Sequence, residues 1–478
     1  MSTPVNTIIL ISLVCSAKAV MASQGSTFPT SRADIRQIYA EAVEHDAQIS
    51  ALRHAYRAQV EQVPQARAGL LPTVTAGATN DVTTLSRESV STRERSGLVF
   101  KASLTQPLFR PDRWYGLKAA QDSVLQAEIE LEAKEQQLIV RVVEAYTEVL
   151  RQQDENAVSK AEEAAFLHQR ELAQGRLDDG VASITDVLDA QAAYDTAQAN
   201  RLGSKRKLED GLEALTQVTG KEYSSLSGLR HELPKILPSP RDSSAWVAFG
   251  LQQNLEYRAA QSAVRAAHNT LMQRKSGHSP TLDLVASYRT GDNDSFGYTN
   301  SADINSVGYR GNVEQATIAI ELSVPIYSGG SINSQIRESN QRLSQREDEQ
   351  EDKRRQVVMS IRNAYRAVND DVEQIRARIS SVISGQKALE ANAIGLQVGT
   401  RNIGDVLSAQ RQLFGSVRQY NNARYDYVVD VTKLKMSAGI LTAEDINSLN
   451  LYLDSEYVAD RDYLPKNAAA EAANAKRD

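Results

Sequence analysis

Two short stretches, 219 positions apart, constrain the chain more than any other feature. Gly180-Val-Ala-Ser-Ile-Thr-Asp-Val-Leu-Asp-Ala-Gln191 and Gly399-Thr-Arg-Asn-Ile-Gly-Asp-Val-Leu-Ser-Ala-Gln410 agree at seven of twelve positions without a gap. Each follows a long run of helical periodicity and opens another. Both read as tight turns of helical hairpins, and the chain reads as a tandem duplication. Ser183 and Asn402 stand where N-caps belong, with Asp186 and Asp405 three residues on. A carboxylate at that position satisfies the cap's own N–H and offsets the helix dipole, so spacing alone makes these two aspartates capping groups. Asp189 lies a turn deeper, beyond the reach of capping, on the same helix face as Asp186.

The surrounding pattern repeats as well. In the first half, Asp34 to Arg67 carries apolar residues at spacings of three and four, which predicts one helix ended by Gly69-Leu-Leu-Pro72. Thr73–Leu85 and Leu98–Phe109 alternate with period two, which predicts two strands joined by a polar loop over 86–97. Leu98, Phe100, Ala102 and Leu104 fall on one face of the second strand, with Lys101, Ser103 and Thr105 on the other. From Trp114 to Leu172 the helical pattern hardly pauses, and sixty helical residues span about 90 Å. A turn over 174–183 and a second long helix to Gly220 follow. Residues 221–243, with Pro234, Pro238 and Pro240, read as a linker. The second half then predicts a helix over Trp246–Lys275, strands over Thr281–Thr290 and Ala316–Ile326, and a loop over 291–315. It continues with a long helix from Ser331 to Ser384, interrupted by Gly385, Gly395 and Gly399 before the turn, and a last helix from Asn402 to Gly439.

The expected organisation is a signal peptide over 1–22, a first repeat over 23–237, a second over 238–457, and a disordered tail over 458–478. Ile8–Val14 is apolar and small residues follow, as before a cleavage site, although no Lys or Arg precedes the run. Removing that segment removes Cys15, the lone cysteine, and leaves no disulfide, Cys-based metal site or thiol nucleophile. The six histidines show no ligand spacing, and no nucleophile–base constellation or nucleotide fingerprint appears. The reading is therefore not an enzyme, with no cofactor and no metal. A net charge of −6 argues against nucleic acid as the main partner. Beyond the N-terminus no apolar run reaches the roughly 18–20 residues of a transmembrane helix. Alternating strands can still cross a membrane as a β-barrel. Four strands per chain cannot close one, and open edges in lipid leave backbone groups unpaired, so several chains must combine. Aromatic residues near the strand ends (Phe109, Trp114, Tyr115, Tyr288, Phe296 and Tyr327) suit the bilayer interfaces, with packing of barrel on helices the alternative for Phe109 and Tyr327.

At this point the residues resemble a known family. Gly277-His-Ser-Pro-Thr-Leu-Asp-Leu-Val-Ala-Ser287, Val324-Pro-Ile-Tyr-Ser-Gly-Gly-Ser-Ile-Asn-Ser-Gln335, Val398-Gly-Thr-Arg-Asn-Ile-Gly-Asp-Val-Leu407 and Asn422-Ala-Arg-Tyr-Asp-Tyr-Val428 are similar to TolC-type outer membrane factors, in order and over Asp34–Tyr452. The resemblance implies an α+β membrane protein: a homotrimer with a 12-stranded β-barrel, four strands per chain, continued by a long periplasmic α-helical barrel. It implies the exit duct of type I protein secretion or drug efflux, working with a periplasmic adaptor (membrane fusion) protein and an inner-membrane ABC or RND-type transporter. It also implies an outer-membrane location with a long periplasmic extension. The hairpin turns would sit at a closing periplasmic tip. There the resemblance places Asp405 in a ring of aperture aspartates. The family's second such aspartate falls on Ser408, a departure that Asp189 is expected to compensate, alongside Asp186. A latch of the closed state is carried over to Arg401, pairing with Thr185 and Asp186, while a family tyrosine of that latch falls on Leu396. Gly180, Gly399 and Thr400 would lie in the turns that meet the adaptor. The competing reading is a structural, trimeric coiled-coil or adhesin-like envelope protein without a pore, which predicts heptads without repeated β-hairpins.

Overall fold

The computed structural model describes residues 32–87, 90–292 and 312–465. The expected signal peptide, most of the 291–315 loop with Phe296, and residues 466–478 lie outside them. Three short helices open the described chain: α1 (Ile35–His45), α2 (Ala47–Val60) and α3 (Gln62–Ala68). They replace the single helix expected over 34–67. Asp46 is the cause of the first break. Its backbone is extended, and its carboxylate caps α2 by accepting from Ile49 N–H at 2.8 Å while Arg141 holds its other oxygen at 2.8 Å. Asn254 does the same in the second half. It divides the expected 246–275 helix into α6 (Ser243–Gln253) and α7 (Leu255–Lys275), accepting from Tyr257 N–H and donating to Ser437 O at 2.9 Å. Periodicity runs through both breaks because each preserves the buried face.

Strands β1 (Thr73–Arg87), β2 (Val90–Phe109), β4 (Thr281–Asp292) and β5 (Asn312–Ser323) form one antiparallel sheet in the order β1-β2-β4-β5; β3 is the short linker strand described below. The first hairpin is longer than its apolar alternation. Thr84 pairs with Glu94 and Arg87 with Val90, inside the expected loop, because ladder bonds join backbones and do not require apolar side chains. β5 is displaced the other way: it begins at Asn312 and stops at Ser323, before Pro325, which has no N–H to donate. Pairing of β2 with β4, from Val99↔Gly291 to Phe109↔Leu282, fuses the two halves of the chain into one sheet.

The register assembles one apolar face. Val74, Ala76 and Ala78 on β1 stand opposite Leu104, Ala102 and Phe100 on β2. Those residues stand opposite Ala286, Tyr288 and Thr290 on β4, which meet Ile318, Ala316 and Glu314 on β5. The same face continues through Leu284↔Ile320 and Leu282↔Leu322. The chain leaves this face uncovered: Ile318 is 79% exposed and Val74 71%. The opposite face carries Thr73, Thr75, Lys101, Ser103, Asp283, Ser287 and Arg289, with Thr75 and Ser103 hydroxyls 2.7 Å apart. Arg110 clamps Asp283 where β2 passes into the next helix.

That helix is α4 (Pro111–Asp178), 68 residues with Pro111 in its first turn, where the missing N–H costs nothing. At 1.5 Å per residue it spans about 100 Å. It returns as α5 (Ile184–Thr219), and the second half repeats the hairpin with α8 (Ser331–Gln397) and α9 (Ile403–Ser437). Gly385 and Gly395 do not interrupt α8 as expected. A glycine costs about 1 kcal/mol in a helix, too little to break one held by packing along its length. The absent side chains are used instead: a Cβ on Gly385 would lie 3.5 Å from the Leu413 backbone of α9, and one on Gly395 only 2.6 Å from the Arg401 side chain.

The main core lies where α4, α8 and α9 meet α1 and the linker. Residues 221–243 are more than a linker. Their β3 (Gly228–Leu229) pairs with β6 (Leu453–Asp454), which follows α10 (Ala443–Asn450). The tail, expected to be disordered from 458, instead begins packed. Tyr457 is buried against Gly228, where a Cβ would collide with its ring, and α11 (Ala459–Asp462) follows. Asp460 pairs with Lys160 at 3.0 Å, and Asn421 donates to Tyr463 O.

Candidate functional site

The two hairpin turns share one backbone hydrogen-bond pattern. In the first, the N–H groups of Val181 and Ala182 both reach back to Arg176 O at 2.8 and 3.1 Å. In the second, Thr400 and Arg401 N–H reach back to Gly395 O at 2.9 and 3.1 Å. Gly180 (φ +74°) and Gly399 (φ +80°) supply the left-handed residue that lets the chain reverse. Each following helix starts with a capping box. Ser183 N–H donates to Asp186 Oδ2 at 3.1 Å, and Asn402 N–H to Asp405 Oδ2 at 3.3 Å, while Asn402 Oδ1 accepts from Asp405 N–H at 2.8 Å. The capping expected of both aspartates is therefore present.

The turns sit together within the chain. Arg176 Nη1 donates to Leu396 O at 3.4 Å, and Ile403 and Leu407 of α9 pack with Phe166, Ala173, Ala190, Ala193 and Ala197 of the first hairpin. This seam fixes the faces. With Ile403 and Leu407 inward, Ser408 is exposed and Asp405 half-buried. On α5, Ala190 turns inward, Asp189 is exposed, and Asp186 is half-buried. Arg401 lies 3.9 Å from Asp405 of its own turn. Among the described residues of one chain it makes no pair with Asp186 or Thr185. The Thr185 hydroxyl instead lies 2.8 Å from the Ser183 hydroxyl. Val181, Ile184, Leu188, Ile394 and Val398 are all more than half exposed around the tips. Sequence reasoning missed this apolar collar because helical periodicity assigns such residues to a core. It also missed Arg176, which has no counterpart in a motif.

A second cluster, also missed, joins the hairpins to the linker and tail. Arg424 is fully buried in α9. Its Nη2 donates to Leu229 O and Arg230 O at 2.6 and 2.9 Å, and its Nη1 to Asn421 Oδ1. Beside it, buried Asp154 of α4 accepts from Tyr425 and Tyr457 hydroxyls at 2.7 and 2.8 Å. Burial pushes the Asp154 carboxyl upward, against the pull of Arg424. His231 is pushed down to about 3, first by burial and then by Arg424, so the ring is neutral near neutrality and Nε2 faces Asp462 O at 2.7 Å. The signal was present as Arg424 within an otherwise apolar stripe of α9, but its partners come from positions about 195 and 270 residues away. Among the described residues no group of His, Cys, Asp or Glu is arranged to hold a metal ion.

The sequence matches the model of a family described as outer membrane efflux proteins, over residues 38–221 and again over 250–439. It is 33% identical over 417 residues to the outer membrane protein TolC of Vibrio cholerae serotype O1, covering 87% of this chain and 93% of that protein. It is 28% identical over 417 residues to the alkaline protease secretion protein AprF of Pseudomonas aeruginosa, covering 85% of each. The solved structure of CusC, described for its transmembrane channel formation, superposes with a TM-score of 0.74 at 15% identity. It covers 85% of this chain and 92% of that one, a likeness in fold.

Proposed function

The chain belongs to the outer membrane efflux protein family, and from that premise we propose that it is the exit duct of a tripartite export machine, gated at its hairpin tips. The observation that carries the reading is the four-stranded sheet with one bare apolar face and two unpaired edges, β1 and β5, continued by helices of about 100 Å. Lipid would satisfy the apolar face. It cannot satisfy the strand edges, so β5 of one chain pairs with β1 of the next until the sheet closes. Three chains give a barrel of 12 strands. The polar face then lines the lumen, and the helical hairpins extend the tube through the periplasm. Identity to a protease secretion protein and to TolC supports passage of secreted proteins, small toxic compounds, or both. The exposed apolar collar at the tips suits a periplasmic adaptor that connects the duct to an inner-membrane ABC or RND-type transporter.

The test is reconstitution of the purified protein in planar bilayers. Detergent-resistant trimers forming cation-selective pores are expected; trimers without conductance would return the chain to a structural role. A second expectation concerns the latch. In the assembled ring, Arg401 is expected to reach Thr185 and Asp186 across the seam between neighbouring hairpins. Each such link contributes about 0.5–3 kcal/mol, and three copies hold the tips closed until a partner that prefers the open state binds. Arg401→Ala should raise basal single-channel conductance. Recordings indistinguishable from the unmutated channel would remove Arg401 from the latch.

A further inference from the structure

Beyond β3 the linker carries Pro234, Pro238 and Pro240, which have no N–H to give to a ladder, so it passes the helices without joining a sheet. The Tyr427 hydroxyl of α9 pins it there, accepting from Ile236 N–H at 3.0 Å and donating to Ile236 O at 3.1 Å. Between linker and helices lies a cavity of about 500 Å³. On the helix side it is lined by Ile139 and Val143 of α4, Val368 of α8, and Val428 and Val431 of α9. Four of these five are valines, whose short side chains leave the space unfilled. Opposite them stand Leu233, Leu237 and Pro238 of the linker with Ile446 and Leu449 of α10, and Trp246 of α6 completes the wall. Ile236, also in the wall, is 67% exposed and marks the mouth.

The polar groups around this space are largely engaged elsewhere. Trp246 Nε1 donates to Pro240 O at 2.9 Å, and Thr432 Oγ1 to Val428 O at 2.9 Å. Lys435 and Asp445 pair at 2.6 Å, and Asp445 also accepts from Thr442 N–H in the capping box of α10. Ser239 and Ser448 are exposed to solvent. The Tyr452 hydroxyl makes no hydrogen bond among the described residues, which leaves one uncharged polar group in the wall.

We propose that this cavity is a binding site for small, uncharged ring compounds, aromatic or alicyclic, carrying at most one polar group. Protein interiors are packed like organic crystals, with few voids larger than a water molecule, so an apolar space of this size is exceptional. An apolar cavity of about 150 Å³ is enough to bind benzene, and small-molecule sites occupy roughly 300–1,000 Å³. The same volume holds roughly one turn of a helix with its side chains, too little for a docked partner segment. A charged molecule would lose its water to a wall whose only charges, Lys435 and Asp445, already neutralise each other. A bound ring touches α10, three long helices and the linker that joins the two repeats, so occupancy ties these elements together. The site follows from the cavity and does not rest on the channel reading.

The test uses the full-length protein in detergent, with bromobenzene as the probe. The chain has two tryptophans, and Trp114→Phe leaves Trp246, in the cavity wall, as the sole emitter. Bromobenzene should quench this emission along a saturable curve, because its heavy atom is held near the indole at one site, and should raise the unfolding temperature with concentration. 4-Bromobenzoate, a similar ring with a charge, should bind about tenfold more weakly or worse. Val431→Phe, which fills the cavity from α9, should weaken bromobenzene binding by about tenfold. Ser448→Phe narrows the same space from the exposed rim on α10, and carries the test if the first variant fails to fold. Quenching that rises linearly without saturation is collisional and overturns the site. Equal quenching in both filled variants overturns it too. So does an unquenched Trp246, which would mean that a side chain of a neighbouring copy already occupies the space.

Discussion

Arg424→Ala is expected to cost about 3–5 kcal/mol of stability and to release the linker and tail from the helices before the rest of the protein unfolds. Three consequences combine. The side chain is fully buried, so truncation leaves a cavity among Tyr420, Tyr425 and Asn421. The carbonyls of Leu229 and Arg230 lose their donor, with β3 already only two residues long. Asp154 then keeps its two tyrosine donors but loses the one buried cation beside it. The check is thermal or denaturant unfolding of the purified protein, with limited proteolysis after residue 221 as the local readout. Arg424→Met, which keeps the volume, should recover part of the packing loss and none of the protection of the linker. A change below about 1 kcal/mol in the alanine variant would mean that packing of Tyr146, Tyr420 and Leu229 holds this junction unaided.

Asp405→Asn is expected to lower the cation-to-anion permeability ratio several-fold while leaving the fold nearly unchanged. Asparagine at this position still accepts from Asn402 N–H, so the capping box survives, and the lost dipole term is about 0.3–1 kcal/mol. The charge is what disappears; in the proposed trimer it would be lost in three copies around the aperture, where low-dielectric walls would focus the field. Asp189→Asn should produce an effect of similar direction, because Asp189 is exposed on α5 while Ser408, at the position of the family's second aperture carboxylate, carries no charge. The measurement is the reversal potential across a salt gradient. An unchanged value in Asp405→Asn would leave that residue as a helix cap only. An unchanged value in Asp189→Asn alone would assign the aperture to the second repeat.

The repeated hairpins, both turns and both capping boxes were legible because each is a local pattern: period two, period three to four, glycine at the reversal, and an acid three residues after an N-cap. Errors came where a local pattern is silent. Asp46 and Asn254 break helices without disturbing the apolar face, and Gly385 and Gly395 fail to break one because α9 and Arg401 occupy the space they leave. The polar stretch 86–97 reads as a loop but pairs as strand, since the ladder is indifferent to side chains. The capping role of Asp405 was legible from its spacing after Asn402. Arg176, the apolar collar and Arg424 were not, because each acquires meaning only from a neighbour more than 190 residues away, or from the absence of one.

By itself the sequence determined a duplicated chain of β-hairpins and very long helical hairpins, the turn chemistry at both tips, and the family to which these belong. Backbone preferences and side-chain periodicity act over a few residues, so they are written in the order of the letters. Only the tertiary structure decided that β2 pairs with β4 and merges the repeats into one sheet with a bare apolar face. It alone closed Arg424 over the linker and set Tyr457, at the start of the tail, against buried Asp154. Those outcomes depend on which distant groups share a space without water, where a charge must find a partner or a proton, and that is settled by packing.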